Sequence, residues 1–188
     1  MSQQELLKTI VAALGGAGID YMVSGSIVSS LQGEPRATHD IDIVVTLDAS
    51  AAKRLTEALP GSHYYLDEDR MLEAIERRTM FNLIDPASGY KVDFWILTDE
   101  QFDISRFSRK HETDLAGIRI AVSSPEDTIL AKLRWAKLSG GSEKQFTDAL
   151  RVYEVQYGNL DIAYLRDWAE RLGIADLLEK LTEQAEVV

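Results

Sequence analysis

An α/β domain followed by a helical section is the fold class that this sequence predicts, and three observations predict it. Over residues 1–122, short β-branched runs alternate with stretches of helical period, the alternation that builds a sheet backed by helices. Two of the runs, "TMFNLID" and "YKVDFWIL", are separated only by the turn residues "PASG" and read as antiparallel neighbours. From Ser123 onward the strand signal stops and four helical stretches follow one another. The expected organisation is an α/β domain over 1–122 with a helical section, 123–188, packed on it.

Element by element, Gln3 to Leu14 sets apolar residues at helical intervals, and Gly15, Gly16 and Gly18 end that helix before the strand-like "IDYMVS". "SIVSSLQG" reads as a short helix with a glycine stop, "EPRATH" as a polar loop and "DIDIVV" as a strand marked by β-branched residues. "ASAAKRLTEALP" is a helix closed by Pro60, and "LDEDRMLEAIER" is another whose acids form a solvated start. "GIRIAV" is a further strand. "SSPEDTILAKLRWAKLSGG" opens with a serine cap, Pro125 at the first helical position and acids in the first turn, and stops at Gly-Gly. "EKQFTDALRVYEVQ", "DIAYLRDWAERLG" and "IADLLEKLTEQ" complete the helical section.

Composition narrows the function classes. With 45% hydrophobic and 27% charged residues the chain is that of an ordered globule. Its lack of cysteine excludes disulfides and thiolate metal sites and fits a reducing, cytoplasmic setting. The start "MSQQELLKTIVAAL" lacks the basic and apolar regions of a signal peptide, and no run approaches the roughly 20 apolar residues of a membrane span. A formal charge of -11 disfavours a broad, nonspecific grip on nucleic acid. His39, His63 and His111 show no zinc-ligand spacing. Trp95, Trp135 and Trp168 lie in segments of apolar periodicity and are expected in the core.

The residues that carry chemistry gather around "DIDIVV". Alternate side chains share a strand face, so Asp40 and Asp42 point one way while Ile41 and Ile43 enter the core. Two full charges about 7 Å apart at an effective dielectric near 20 repel by roughly 2 kcal/mol. A divalent cation reverses that sign, and such a pair is a hard oxygen site suited to Mg²⁺; the alternative is a solvated strand face. Upstream, Gly25-Ser26 stands between a strand and a helix start, where free backbone N–H groups and the helix dipole favour an anion. The alternative there is a tight turn with Ser24 or Ser26 as N-cap. In "YKVDFWIL", alternation puts Lys91, Asp93 and Trp95 on one face, making Asp93 either a third carboxylate or half of an ion pair with Lys91 or a neighbouring strand. If the two aspartate strands are neighbours, three carboxylates converge, as in sites that hold two cations around an in-line phosphoryl displacement.

Gly25-Ser26, a short helix, Asp40-x-Asp42 separated from Ser26 by thirteen residues, and Asp93 on a later strand resemble the DNA polymerase beta-like nucleotidyltransferase superfamily. More narrowly, "RATHDIDIVV" together with "SPEDTILAKLRWAKLSGGSEKQFTDALRV" and "LDIAYLRDWAERLGIADLLEK" is similar to small bacterial AbiEii-type (abortive-infection) nucleotidyltransferases. The resemblance implies a palm with a mixed sheet backed by helices, Gly25 and Ser26 at the nucleotide phosphates, and Asp40 and Asp42 as catalytic metal ligands. Asp93 would be the third carboxylate, a ligand or the base for the incoming hydroxyl. Arg36 and Thr38 would look toward phosphate, the alternative for Arg36 being a surface pair with Glu34. Lys132 would face the nucleotide, the alternative being a lysine at the edge of the apolar stripe between Ile129 and Ala136. Lys144 and Asp148 match the family's "KD..D" region only loosely, since Gln145 stands where an acid is common, and both are left outside the site. The implied activity is Mg²⁺-dependent, with Mn²⁺ as a substitute: NMP moves from an NTP to a hydroxyl acceptor, whether RNA, protein or small molecule, and pyrophosphate leaves. The rival class is a catalytically inactive nucleotide-binding or partner-binding module, with an antitoxin as the partner in a toxin–antitoxin pair.

Overall fold

The computed structural model describes residues 1–59, 61, 63–115 and 117–187. Pro60, expected to close a helix, lies outside them. The chain divides into two compact units, one formed by Met1–Ser24 with Thr38–Val122 and the other by Gly25–Ala37 with Ser123–Val188.

The first unit contains α1 (Gln3–Gly16), β1 (Tyr21–Ser24), β2 (Asp40–Val45), α3 (Ala49–Ala58), β3 (Tyr65–Leu66), α4 (Glu68–Arg77), β4 (Met80–Ile84), β5 (Lys91–Ile96), α5 (Gln101–Ser108), β6 (His111–Leu115) and β7 (Ile118–Val122); α2 (Gly25–Gln32) belongs to the second unit. Among the described residues seven strands form one sheet in the order β3-β4-β5-β2-β1-β7-β6. It is mixed: β2 runs parallel to β5 and β1 parallel to β7, while β1–β2, β3–β4, β4–β5 and β6–β7 are antiparallel. A mixed sheet with helices is the fold class expected.

Local sequence accounts for most boundaries. Ser2 and Glu5 form a capping box at the start of α1, and Asp48 and Asp67 cap α3 and α4 through their carboxylates. The β4–β5 turn is organised by the buried Asp85, whose carboxylate accepts from Ala87 N at 3.0 Å and from the Ser88 hydroxyl. One face of the central strands is apolar and buried, with Ile41, Ile43 and Val45 on β2 beside Val92, Phe94 and Ile96 on β5. Phe81 extends it onto β4, its ring stacked 4.9 Å from that of Phe94.

The second unit consists of α2 (Gly25–Gln32), α6 (Pro125–Leu138), α7 (Glu143–Gln156), α8 (Ile162–Arg171) and α9 (Ala175–Gln184). The Ser124 hydroxyl accepts from Asp127 N and Pro125 opens α6, as the sequence indicates. Helix α2 packs on α6 and α7, α6 on α7 and α8, and α9 on α7 and α8. At the α2–α7 contact the Cβ that an alanine would place at Gly33 would lie 2.8 Å from Val152 N, so this glycine is required by close backbone approach. Among the described residues no helix is long and apolar enough to cross a membrane.

Candidate active site

Strand register builds the acidic part of the site. Asp42 is the direct partner of Asp93 across the parallel β2–β5 pair, Ser24 is the partner of Asp42 on β1, and Asn82 that of Asp93 on β4. Register partners share a sheet face, so Ser24, Asp42, Asp93 and Asn82 form one polar row across four central strands. Two residues back in register, on the same face, Asp40 is paired with Lys91. On the other side of the row the same face turns apolar, where Met22 and Val44 pack with Phe107 of α5, Trp95 and Leu97.

Neighbouring strands stand about 5 Å apart, and two bare carboxylates at that separation repel by about 3 kcal/mol at an effective dielectric near 20. Two groups relieve this. The Lys91 ammonium lies 2.9 Å from Asp93 Oδ2 and 3.7 Å from Asp40 Oδ1, and Trp95 Nε1 donates to Asp42 Oδ1 at 3.3 Å. The hydrogen bond to Asp93, followed by the charges of Asp93, Asp40 and Asp42 acting against burial, holds the Lys91 ammonium above its ordinary pKa. Asp93 is 8% exposed and its second oxygen, Oδ1, is buried without a hydrogen-bond partner. A carboxylate oxygen has no proton to donate and accepts from a donor or binds a cation, so Asp93 Oδ1 keeps capacity for either. Among the described residues no group of three or more acidic or histidine side chains is placed, as it stands, to hold a metal ion. Thr38 joins this unit through its carbonyl, which accepts from Gln3 Nε2, and through its hydroxyl, which donates to Asp40 O.

The remaining expected site residues converge in the second unit. Gly25 begins α2 with φ +67°, a left-handed conformation that favours glycine. The hydroxyl of Ser26 accepts from Arg36 Nη2 at 2.8 Å, and Lys132 Nζ stands 3.5 Å away. Both cations are tied to Asp148. Arg36 Nε and Nη2 donate to Asp148 Oδ1 and Oδ2 at 2.7 and 2.6 Å, and Lys132 Nζ donates to Oδ2 at 2.7 Å. Asp148 and Lys132 are 8% and 5% exposed. Burial pushes the Asp148 carboxyl up, and the Arg36 and Lys132 hydrogen bonds and charges reverse this to hold it below the usual carboxylate range. Two cations around one anion leave a net positive charge beside Ser26.

One alternative and two sequence expectations change. Arg36 bonds to Asp148 rather than Glu34, which meets Arg151 at 3.3 Å. Asp148, left outside the site by its imperfect motif, is the hub of the cationic cluster; its helical register, with Ala149 and Val152 buried beside it on α7, is the signal that points it inward. Trp135, expected in the core, is 48% exposed, because Ile129, Leu130, Leu133 and Ala136 already fill the buried side of α6. Trp168 is buried as expected.

No family model matches the chain, and no curated protein sequence matches it. Solved structures do. A nucleotidyltransferase-like antigenic protein from Paracoccidioides brasiliensis is similar at 20% identity and a TM-score of 0.56, over 98% of this chain and 95% of that one. The antibiotic-resistance factor ANT(2'')-Ia is similar at 17% identity and a TM-score of 0.53, over 97% of this chain and 98% of that one. At these identities the likeness is one of fold alone.

Proposed function

We propose that the protein is a metal-dependent nucleotidyltransferase that moves NMP from an NTP to a hydroxyl acceptor with release of pyrophosphate. The observation that carries this reading is the direct pairing of Asp42 with Asp93 on adjacent parallel strands, with Asp93 Oδ1 buried and unpartnered. Asp40, Asp42 and Asp93 are the residues that would hold Mg²⁺ or Mn²⁺, which supplies charge neutralisation and Lewis acidity at phosphoryl oxygen. Gly25, Ser26, Arg36 and Lys132 are assigned to the phosphates, with Thr38 leading into the acidic strand. In the reaction the acceptor oxygen forms a bond to the α-phosphorus and passes its proton to the Asp93 carboxylate. The bond from the α-phosphorus to the bridging oxygen breaks and pyrophosphate leaves; within the second unit, Ser26 with Arg36 and Lys132 is a cationic cluster suited to phosphate. Catalysis rests on positioning and fixed charge.

The direct test incubates the protein with each α-labelled NTP, Mn²⁺ and separate pools of RNA, protein and small hydroxylated molecules. Antibiotics belong in the last pool because a similar fold serves an antibiotic-resistance factor. Label should move to one pool and stay behind with Asp42→Asn or Asp93→Asn.

A second reading, a nucleotide-binding or partner-binding module without turnover, including a toxin–antitoxin component, is favoured by Lys91, which already neutralises Asp93 in the manner of a structural ion pair. Tight NTP binding with no label transfer in any pool would support it over the enzyme.

A further inference from the structure

Resting on the metal-dependent reading, we infer that the Lys91 ammonium is a built-in competitor of the metal ion, so that a cation enters the carboxylate row only by displacing it. Three features carry this. Lys91 is the register partner of Asp40 and shares its strand face with Asp93 two residues on, so the stem begins inside the acidic cluster. The ammonium bonds Asp93 Oδ2 at 2.9 Å and approaches Asp40 Oδ1 at 3.7 Å, the two carboxylates that flank Asp42 in register and along its strand. Asp93 nevertheless keeps its other oxygen buried and unpartnered, so one monovalent group satisfies only part of the available donor capacity.

Charge and geometry make the competition physical. An ammonium is a compact point charge with three donors on a flexible stem, whereas a divalent ion takes six or more oxygen ligands. With its side chain 36% exposed, Lys91 has a route to solvent when a cation with twice its charge arrives. The lysine thereby suppresses occupation by metal alone and leaves the site to an ion that brings further ligands on a triphosphate. A lysine serving only as a structural ion pair would leave metal affinity unchanged or, through disorder of Asp93, lower it.

The test measures the affinity of Mn²⁺ alone, without nucleotide, from the free-ion paramagnetic resonance signal and from Mn²⁺-dependent thermal shifts. Lys91→Met keeps the stem and removes the charge. It should bind Mn²⁺ about ten- to a hundredfold more tightly than the unaltered protein, the ratio corresponding to one charge-assisted hydrogen bond. Lys91→Arg should show no gain, and adding Asp93→Asn to Lys91→Met should abolish the gain. Should Lys91→Met fail to fold, Lys91→Gln carries the same comparison and the same expected sign. Unchanged or weaker Mn²⁺ binding in the neutral variants, with binding retained by the unaltered protein, overturns the competitor role and leaves the metal reading intact. Absence of Mn²⁺ binding in the unaltered protein and every variant, even at millimolar ion, removes the metal reading and the competitor with it.

Discussion

At Asp93 one carboxylate oxygen is bonded to Lys91 while the other is buried with no partner, and an arrangement that leaves a polar atom unsatisfied costs stability. Asp93→Asn keeps the shape and removes the repulsion with Asp42. Its melting temperature should equal or exceed that of the unaltered protein, while label transfer falls by at least about a hundredfold, the lower bound for a lost proton acceptor. Because the group acts on the reacting oxygen, kcat and kcat/KM should fall together. Asp148 presents the opposite case. Asp148→Asn leaves Lys132 buried beside a neutral amide and should lower stability by about 3 kcal/mol, near the low end for a broken buried pair, as read by urea denaturation. Its carboxyl is held below the ordinary value, so the pairing is fully present above about pH 4 and is lost as pH falls through the lower folded value. Denaturation midpoints taken from pH 6 down to pH 2.5 should show this acid-side loss in the unaltered protein, and Asp148→Asn should lack that component.

Elements differ in how openly the sequence declares them. Helices α1, α6 and α7 carry long apolar periods or clear caps, and β2 and β5 carry alternation strong enough to assign Asp40, Asp42 and Asp93 to faces from the sequence alone. Strand β6, "HETDL", is not legible because Glu112 and Asp114 are of types depleted in strands, and it is held by pairing with β7 and by the cross-strand bond between Arg119 and Glu112. Helix α5 has eight residues and an N-cap, Glu100, that makes no side-chain capping bond, so nothing local announces it; β3 is only two residues long. Sheet order is equally silent in the sequence, yet it decides the site, since only the β2–β5 adjacency makes Asp42 and Asp93 partners. The α2–α7 contact gives its own prediction. Gly33→Ala would press a methyl group against the Arg151–Val152 backbone and should destabilise the protein by roughly 1–3 kcal/mol, the usual cost of overpacking, measured by thermal or urea unfolding.

For the molecule as a whole, ligand linkage offers a test independent of turnover. Mg²⁺ and NTP together should raise stability by about 2.7 kcal/mol at a hundred times Kd, and Mg²⁺ alone should do much less. The Asp40→Asn, Asp42→Asn double variant should stay folded and lose the metal-dependent part of the shift in a thermal melt. The interleaving of the units has a further consequence, for synthesis. Residues 25–37 belong to the second unit, but the helices they pack with begin only after Ser123. On a ribosome adding 5–20 residues per second, that interval of roughly 85 residues keeps Val28 and its neighbours waiting about 4–17 s for their partners. A polypeptide released at Val122 would carry α2 as an orphan helix with its buried residues, Val28, Ser29 and Gln32, open to chaperones and proteases. Co-translational assembly of the second unit is therefore a late event that bridges a long stretch of chain, and a nascent-chain protease assay should find residues 25–37 cleavable until the helical section has left the exit tunnel.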